Sequence, residues 1–208
     1  MWKCGLHKRW HIVFLRLHCS SPEQPHTKLK GYVQLTYRTI RIPVLLLFAL
    51  LVMHCAPPQV VVGTKTGNQA PEISLMDVEG NSHTLSSLQG KLVLIEFWDA
   101  ANSTARRNHF EIQRVYNKYK QSNFSNGNGF AVYSINIDPD AASWNNAVKE
   151  DGIVFPAVVH DPKGWNSAVV SAYGITSLPK YFLINEKGII INHNILIPDL
   201  DRILTDQM

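Results

Sequence analysis

Cysteine is confined to the first 55 residues of this 208-residue chain: Cys4, Cys19 and Cys55 are the three copies, and none follows. Residues 56–208 can therefore form no internal disulfide, and supply neither a thiolate nucleophile nor a thiolate metal ligand. A long apolar run is missing too. The richest one, residues 42–56, falls short of the ~20 residues that a membrane-spanning helix needs. Positive charge is scarce where the folding signals lie. Of 20 Lys and Arg, eight fall in residues 1–55 beside a single acidic residue; of 16 Asp and Glu, fifteen lie beyond. The formal net charge of +4 thus belongs to the leader. The mildly acidic remainder does not carry a nucleic-acid footprint. His83, His109, His160 and His193 are scattered without ligand spacing, so neither a metal site nor a cofactor is expected.

What is present begins with a basic leader, residues 1–41, rich in His, Arg and Trp and of the kind an over-extended gene start would leave. Lys28, Lys30, Arg38 and Arg41 then flank the apolar segment 42–56. Basic flank, short hydrophobic stretch and processing site make a secretory signal. Cys55 closes the run with Val52 three residues before it, which resembles a bacterial lipoprotein signal; His54 departs from that pattern. Lipidation of Cys55, ordinary cleavage and an uncleaved anchor all remain open. Each directs the rest of the chain to the cell envelope, facing the periplasm or the cell surface. Residues 57–69, with prolines and glycines, read as a linker.

From Ala70 onward strand and helix periodicities alternate. Residues 72–78 and 82–85 suggest a hairpin turning at Gly80, and 86–90 a short helical turn. Residues 92–98 read as a buried central strand, apolar on both faces except at Glu96. Residues 102–121 form the longest helix, with Phe110, Ile112, Val115 and Tyr119 marking its inner stripe. A polar loop, 122–129, leads to a strand at 130–137. Asp138-Pro139-Asp140 ends that strand and caps a helix at 141–150. Residues 165–173 read as a short helix stopped by Gly174, 180–185 and 189–193 as a hairpin, and 198–205 as a terminal helix. The order ββ–β–α–β–α–α–β–β–α predicts an α/β fold: a central mixed sheet with helices on both faces and an N-terminal hairpin. Trp144 and Trp165 are expected to be semi-buried packing residues, and Arg106 and Arg107 a solvated face.

Several motifs share one order and spacing over residues 70–208. Ala70-Pro71, Leu75 and Gly80 come first, then Gly90-Lys91-Leu92-Val93-Leu94-Ile95-Glu96-Phe97-Trp98. Tyr173-Gly174-Ile175, Leu178-Pro179, Phe182-Leu183-Ile184-Asn185 and Gly188 follow. Together they resemble the TlpA-like and peroxiredoxin-like (AhpC/TSA) branch of the thioredoxin superfamily. The resemblance implies a thioredoxin-like fold and, in its active members, a Cys-x-x-Cys pair at the start of the long helix. Here Asn102 and Ala105 stand at those two positions. A helix-start cysteine gains a thiolate stabilised by backbone N–H groups and the helix dipole, and a second one resolves the mixed disulfide. Asn102 cannot ionise or attack, Ala105 cannot resolve, and Asn102 is instead a good helix N-cap. Disulfide exchange by this domain is excluded on chemical grounds, and no peroxidatic cysteine is available.

Two other parts of the family's site are retained. Glu96 lies six residues before Asn102, where thioredoxins keep a buried carboxylate; desolvation in an apolar strand should raise its pKa. It reads either as an inherited carboxylate satisfied by a hydroxyl or water, or as a proton donor in a repurposed groove. Pro179 stands at the cis-proline position. The resemblance implies that the backbone of Ser177-Leu178 lies beside the 102–105 turn and can hold an extended peptide by main-chain hydrogen bonds. Trp98, Asp99, Asn102, Ser103, Leu178 and Pro179 would line that groove. The expected function is an envelope-tethered, redox-inactive module that binds a peptide or an envelope protein. The alternatives are a thiol–disulfide oxidoreductase or antioxidant protein borrowing thiols from outside the domain, and a structural module of an envelope assembly.

Overall fold

A computed structural model describes residues 59–125 and 127–208. The leader 1–41, the apolar segment 42–56 and Cys55 with its proposed lipidation lie outside the described residues. Among the described residues no helix is long and apolar enough to cross a membrane.

The sheet is built around two seven-residue strands, β3 (Leu92–Trp98) and β6 (Phe130–Asn136), every residue of which is buried. They pair in parallel from Leu92↔Phe130 to Trp98↔Asn136. Their near-continuous apolar character is that of strands covered on both faces. On one side β7 (Ala157–His160) continues the parallel arrangement, followed by the hairpin of β1 (Ser74–Met76) and β2 (Ser82–Thr84). On the other side β8 (Lys180–Ile184) runs antiparallel to β3 and pairs with β9 (Ile190–Asn192). The order is β2-β1-β7-β6-β3-β8-β9. A separate two-stranded ribbon, β4 (Asn123–Phe124) with β5 (Gly127–Asn128), occupies the stretch expected as a polar loop.

Alternation along β3 divides the core. Leu92, Leu94 and Trp98 face helix α1 (Ser103–Tyr119), helix α2 (Ala141–Glu150) and the terminal helix α4 (Leu200–Thr205). Val93, Ile95 and Phe97 face the opposite side, against Val170 and Tyr173 at helix α3 (Ala168–Ala172). The mixed sheet with helices on both faces is the architecture expected from the sequence.

Four expectations need correction. The first is β7, absent from the expected element order: four residues between Pro156 and Asp161 are too short for periodicity to reveal. The second is the inner stripe of α1, which consists of Ala105, His109, Ile112, Val115 and Tyr119; Phe110 is 78 % exposed. Helical phase, set by Asn102 at the cap, turns Phe110 outward despite its apolar ring. The third is the short helix over 165–173, which is interrupted at Ser167. Its hydroxyl accepts from the N–H groups of Val169 and Val170 and caps α3, leaving residues 164–166 as a separate turn. The fourth concerns the tryptophans: Trp144 is buried and Trp165 exposed, so neither is intermediate.

The last residues of the expected linker belong to the sheet edge. Val62 bridges Gln69, and Gln69 bridges Ile189. The N–H of Gly67 donates to the Ile190 carbonyl, and Ile190 N–H to that of Asn68. At the turn between β8 and β9, Gly188 has φ +77°, and a β-carbon there would lie 2.5 Å from Gln69 Nε2. The positive φ favours glycine at position 188, whereas the Gln69 side chain could move aside.

Candidate functional site

The register of β3 with β8 builds the site. Phe97 pairs with Lys180, so Leu178 and Pro179, just before β8, arrive beside the turn that follows Trp98. The Leu178–Pro179 peptide bond is cis. The 99–102 turn is fixed from below. Asp138 Oδ2 accepts from the N–H of Ala100 at 2.7 Å and from Asn136 Nδ2 at 2.7 Å. His160 Nε2 meets the Asp138 carbonyl oxygen at 2.7 Å. The carboxyl ends of β3, β6 and β7 are thereby tied together.

Asn102 occupies the junction. Its backbone is extended (φ −79°, ψ 99°). Its Oδ1 accepts from the N–H groups of Thr104 at 3.1 Å and Ala105 at 3.0 Å, as an N-cap does. Its Nδ2 donates to the Leu178 carbonyl at 3.0 Å. One carboxamide therefore satisfies two orphan donors of α1 and joins the turn to the loop carrying Pro179. Ala105 is fully buried in the α1 stripe. Ser103 is exposed, whereas Asp99, Leu178 and Pro179 are half-buried. Trp98, expected to line the groove, has no exposed surface. It packs under the turn, edge-on to His109 with ring centroids 4.5 Å apart, because even-numbered positions of β3 face the helix.

Beneath the turn lies a chain of charged groups that the sequence reading did not assemble. Glu96 is fully buried and in register with Ser134, whose hydroxyl donates to Glu96 Oε2 at 2.9 Å. The other oxygen, Oε1, is 3.3 Å from His109 Nε2. The two are within ion-pair distance but not aligned as a hydrogen bond, since neither atom has a hydrogen-bond partner among the described residues. His109 Nδ1 is 2.6 Å from Asp151 Oδ2, which also accepts from Arg106 Nε at 2.5 Å; Arg106 Nη2 in turn reaches Glu150 at 2.9 Å. Burial opposes protonation of His109, but carboxylates facing both ring nitrogens outweigh it and raise the imidazole pKa. Burial likewise pushes the Asp151 carboxyl up, yet hydrogen bonds from Arg106 and His109 leave it below its usual value. Ser134 thus supplies the hydroxyl that the sequence reading expected beside Glu96, and the imidazole of His109 faces its other oxygen.

Arg106 is engaged by carboxylates and is not simply a solvated face, while Arg107 is exposed and reaches Thr104 Oγ1 at 3.1 Å. His109 was overlooked because its partners are distant in sequence. Counting the helical phase from Asn102, through Ala105, would have turned it inward.

This arrangement can hold groups in place, and among the described residues it contains no thiol. The side chains at the turn are carboxamide, methyl and hydroxyl, and no base lies against Ser103 or Thr104 among the described residues.

Comparison with known proteins places this geometry among relatives that are named for redox chemistry. The sequence profile described as Redoxin matches residues 65–201. A thiol-disulfide oxidoreductase ResA from Halalkalibacterium halodurans is 33 % identical over 127 residues, covering 61 % of this chain and 66 % of the relative. The ResA of Bacillus subtilis is 29 % identical over 125 residues, covering 60 % and 64 %. The matched segment thus spans slightly less than two-thirds of these relatives. Among solved structures, the thioredoxin domain of a thiol-disulfide oxidoreductase from Bacteroides vulgatus has a TM-score of 0.62 at 28 % identity, covering 68 % of this chain and 96 % of that one. The C-terminal domain of a putative thiol-disulfide oxidoreductase from Bacteroides thetaiotaomicron has a TM-score of 0.62 at 27 % identity, covering 69 % and 96 %. The fold is thioredoxin-like.

Proposed function

The chain belongs to the Redoxin family, and we propose that it acts there as an envelope-tethered module whose thioredoxin-like domain, lacking cysteine, holds an extended polypeptide without exchanging electrons with it. The observation carrying this reading is Asn102: where a thiol-using relative needs a nucleophile, this chain has a cap that also bonds the Leu178 carbonyl. The apolar segment 42–56 and Cys55 supply the tether, as a lipidated end or a signal anchor.

The Leu178 N–H has no partner among the described residues and can donate to a peptide carbonyl, as in strand addition. The Leu178 carbonyl is the matching acceptor, and a peptide N–H would compete for it with Asn102. Exposed Ser103 and half-buried Pro179 border that edge.

Selection of displayed peptides on the full chain, followed by amide-shift mapping with a selected peptide, tests the reading. Saturable shifts at Leu178, Ser103 and Asn102 support it. Shifts centred elsewhere, or no saturable binder, refute it.

A second reading is favoured by the names of the relatives: thiol–disulfide exchange with thiols from outside the domain. Insulin reduction by the full chain, lost in a Cys4→Ser/Cys19→Ser/Cys55→Ser variant, would establish it and overturn the first.

A further inference from the structure

A cavity lies away from the Asn102 turn, beyond the carboxyl end of β7. Strand β1 meets β7 at a single residue pair, Met76↔His160. On one side of that crossing the two diverge and leave a cavity of about 520 Å³, within the roughly 300–1,000 Å³ typical of small-molecule sites. Its apolar wall is Leu75, Met76, Trp144 and Val169, with His160 stacked on Trp144 (centroids 4.8 Å apart, rings inclined by 17°).

The polar atoms of the cavity are unequally committed. Both acidic side chains in the wall are tied to internal donors, Asp77 at four contacts and Asp161 at two. Asp161 accepts from the N–H of Lys163 and the hydroxyl of Ser167. Asp77 accepts from the N–H groups of Glu79 and Asn81, the Asn81 amide and His83 Nε2. The one ammonium group differs: Lys163, exposed at the rim, forms no ion pair or side-chain hydrogen bond among the described residues.

The geometry points to a binding site for a small apolar carboxylate: an acid whose hydrocarbon body fills the cleft between β1 and α3 and whose carboxylate meets Lys163. The carboxyl ends of parallel strands are also where open α/β sheets take up ligands.

Decanoate is the probe, with decanol as its uncharged counterpart, titrated calorimetrically into the full-length protein. Decanoate is expected to bind saturably below about 1 mM, and decanol about tenfold more weakly, as loss of one charge-assisted contact implies. Lys163→Glu should weaken decanoate at least as much. Met76→Asp, at an exposed position of the rim, should do so without disturbing the fold. The Trp144 indole N–H resonance should move on binding. No saturation, equal binding of decanol, an unaffected Lys163→Glu variant or an unmoved indole resonance would each overturn the site.

Discussion

Removal of the His109 ring is the most incisive perturbation of the charged chain under the turn. His109→Leu keeps an apolar side chain of similar bulk in the α1 stripe but deletes the group facing both Glu96 and Asp151. Asp151 retains Arg106 and is partly open to solvent, so it loses little. Glu96 is fully buried and retains the Ser134 hydroxyl and the neighbouring Tyr181 phenol, neither of them a cation. Breaking a buried pair from one side typically costs about 3–5 kcal/mol, because the remaining charge is uncompensated. For a folded region of this size each kcal/mol lowers Tm by about 2–4 °C, so a fall of about 6–20 °C is expected. Glu96→Leu/His109→Leu should recover much of the loss, since two apolar groups replace the pair. Equilibrium denaturation of wild type, both single variants and the double variant gives the coupling energy directly. The pH dependence has a definite sign. The folded-state pKa of His109 is raised, so its contribution is complete below about pH 6.5 and is lost as pH rises through the folded value. Asp151 is depressed, so its contribution is present above about pH 4 and is lost as pH falls through the folded value. The difference in stability between wild type and His109→Leu should therefore be widest between about pH 4 and 6.5 and narrow on the alkaline side. A single variant within about 1 kcal/mol of wild type, a double variant no better than the single one, or a difference that widens with rising pH would refute the reasoning.

The junction residue and the helix phase give two further expectations. Asn102→Ala removes the cap and the bond to Leu178 and should cost about 2 kcal/mol in denaturant unfolding; Asn102→Ser, which keeps a capping oxygen, should cost about half as much. The same Asn102→Ala change frees the Leu178 carbonyl, so a peptide selected on wild type should bind it several-fold more tightly, and weaker binding would count against competition for that carbonyl. On α1, Phe110→Ser should change stability by no more than about 0.5 kcal/mol, whereas Ile112→Ala should cost about 2–5 kcal/mol; comparable losses would mean that the helix buries the face expected from hydrophobicity alone.

That contrast shows where the sequence was readable. Strand β3 was legible because seven consecutive residues are buried on both faces, and the 102–121 helix because a strong cap starts it. The placement of Pro179 beside Asn102 followed from the family's motif order, and the Phe97↔Lys180 register explains it. Phe110 was misplaced because hydrophobicity was weighed ahead of angular phase: one residue of a 3.6-residue turn separates inward His109 from outward Phe110. Trp98 was misplaced for the corresponding reason in a strand, where alternation puts it on the helix-facing side with Glu96. The Glu96–His109–Asp151 chain was illegible because its members are 13 and 42 residues apart in sequence, and no local pattern distinguishes a buried histidine with two carboxylates from one on the surface. Strand β7 carries too few residues to show a period of its own.

The replacement of sulfur by a carboxamide changes what the turn presents to a ligand. At the start of a helix the free N–H groups and the dipole attract negative charge, which is how a thiolate there becomes stable. Asn102 spends that capacity internally: its oxygen takes the N–H groups of Thr104 and Ala105, and its nitrogen takes the one carbonyl at the Pro179 loop within reach. A ligand approaching the turn therefore finds little unsatisfied positive potential, and an oxidised or anionic group gains nothing by docking there. What stays open is the Leu178 N–H and the shape of the edge around it. In the proposed function those would recognise a neutral, extended backbone, in oxidising and reducing surroundings alike. The underlying ion chain fits that role. It ties Glu96, at the centre of the sheet, through His109 on α1 to Asp151 at the end of α2, so the platform rests on charged contacts between three elements. The ion chain's contribution to stability should then follow the protonation state of His109.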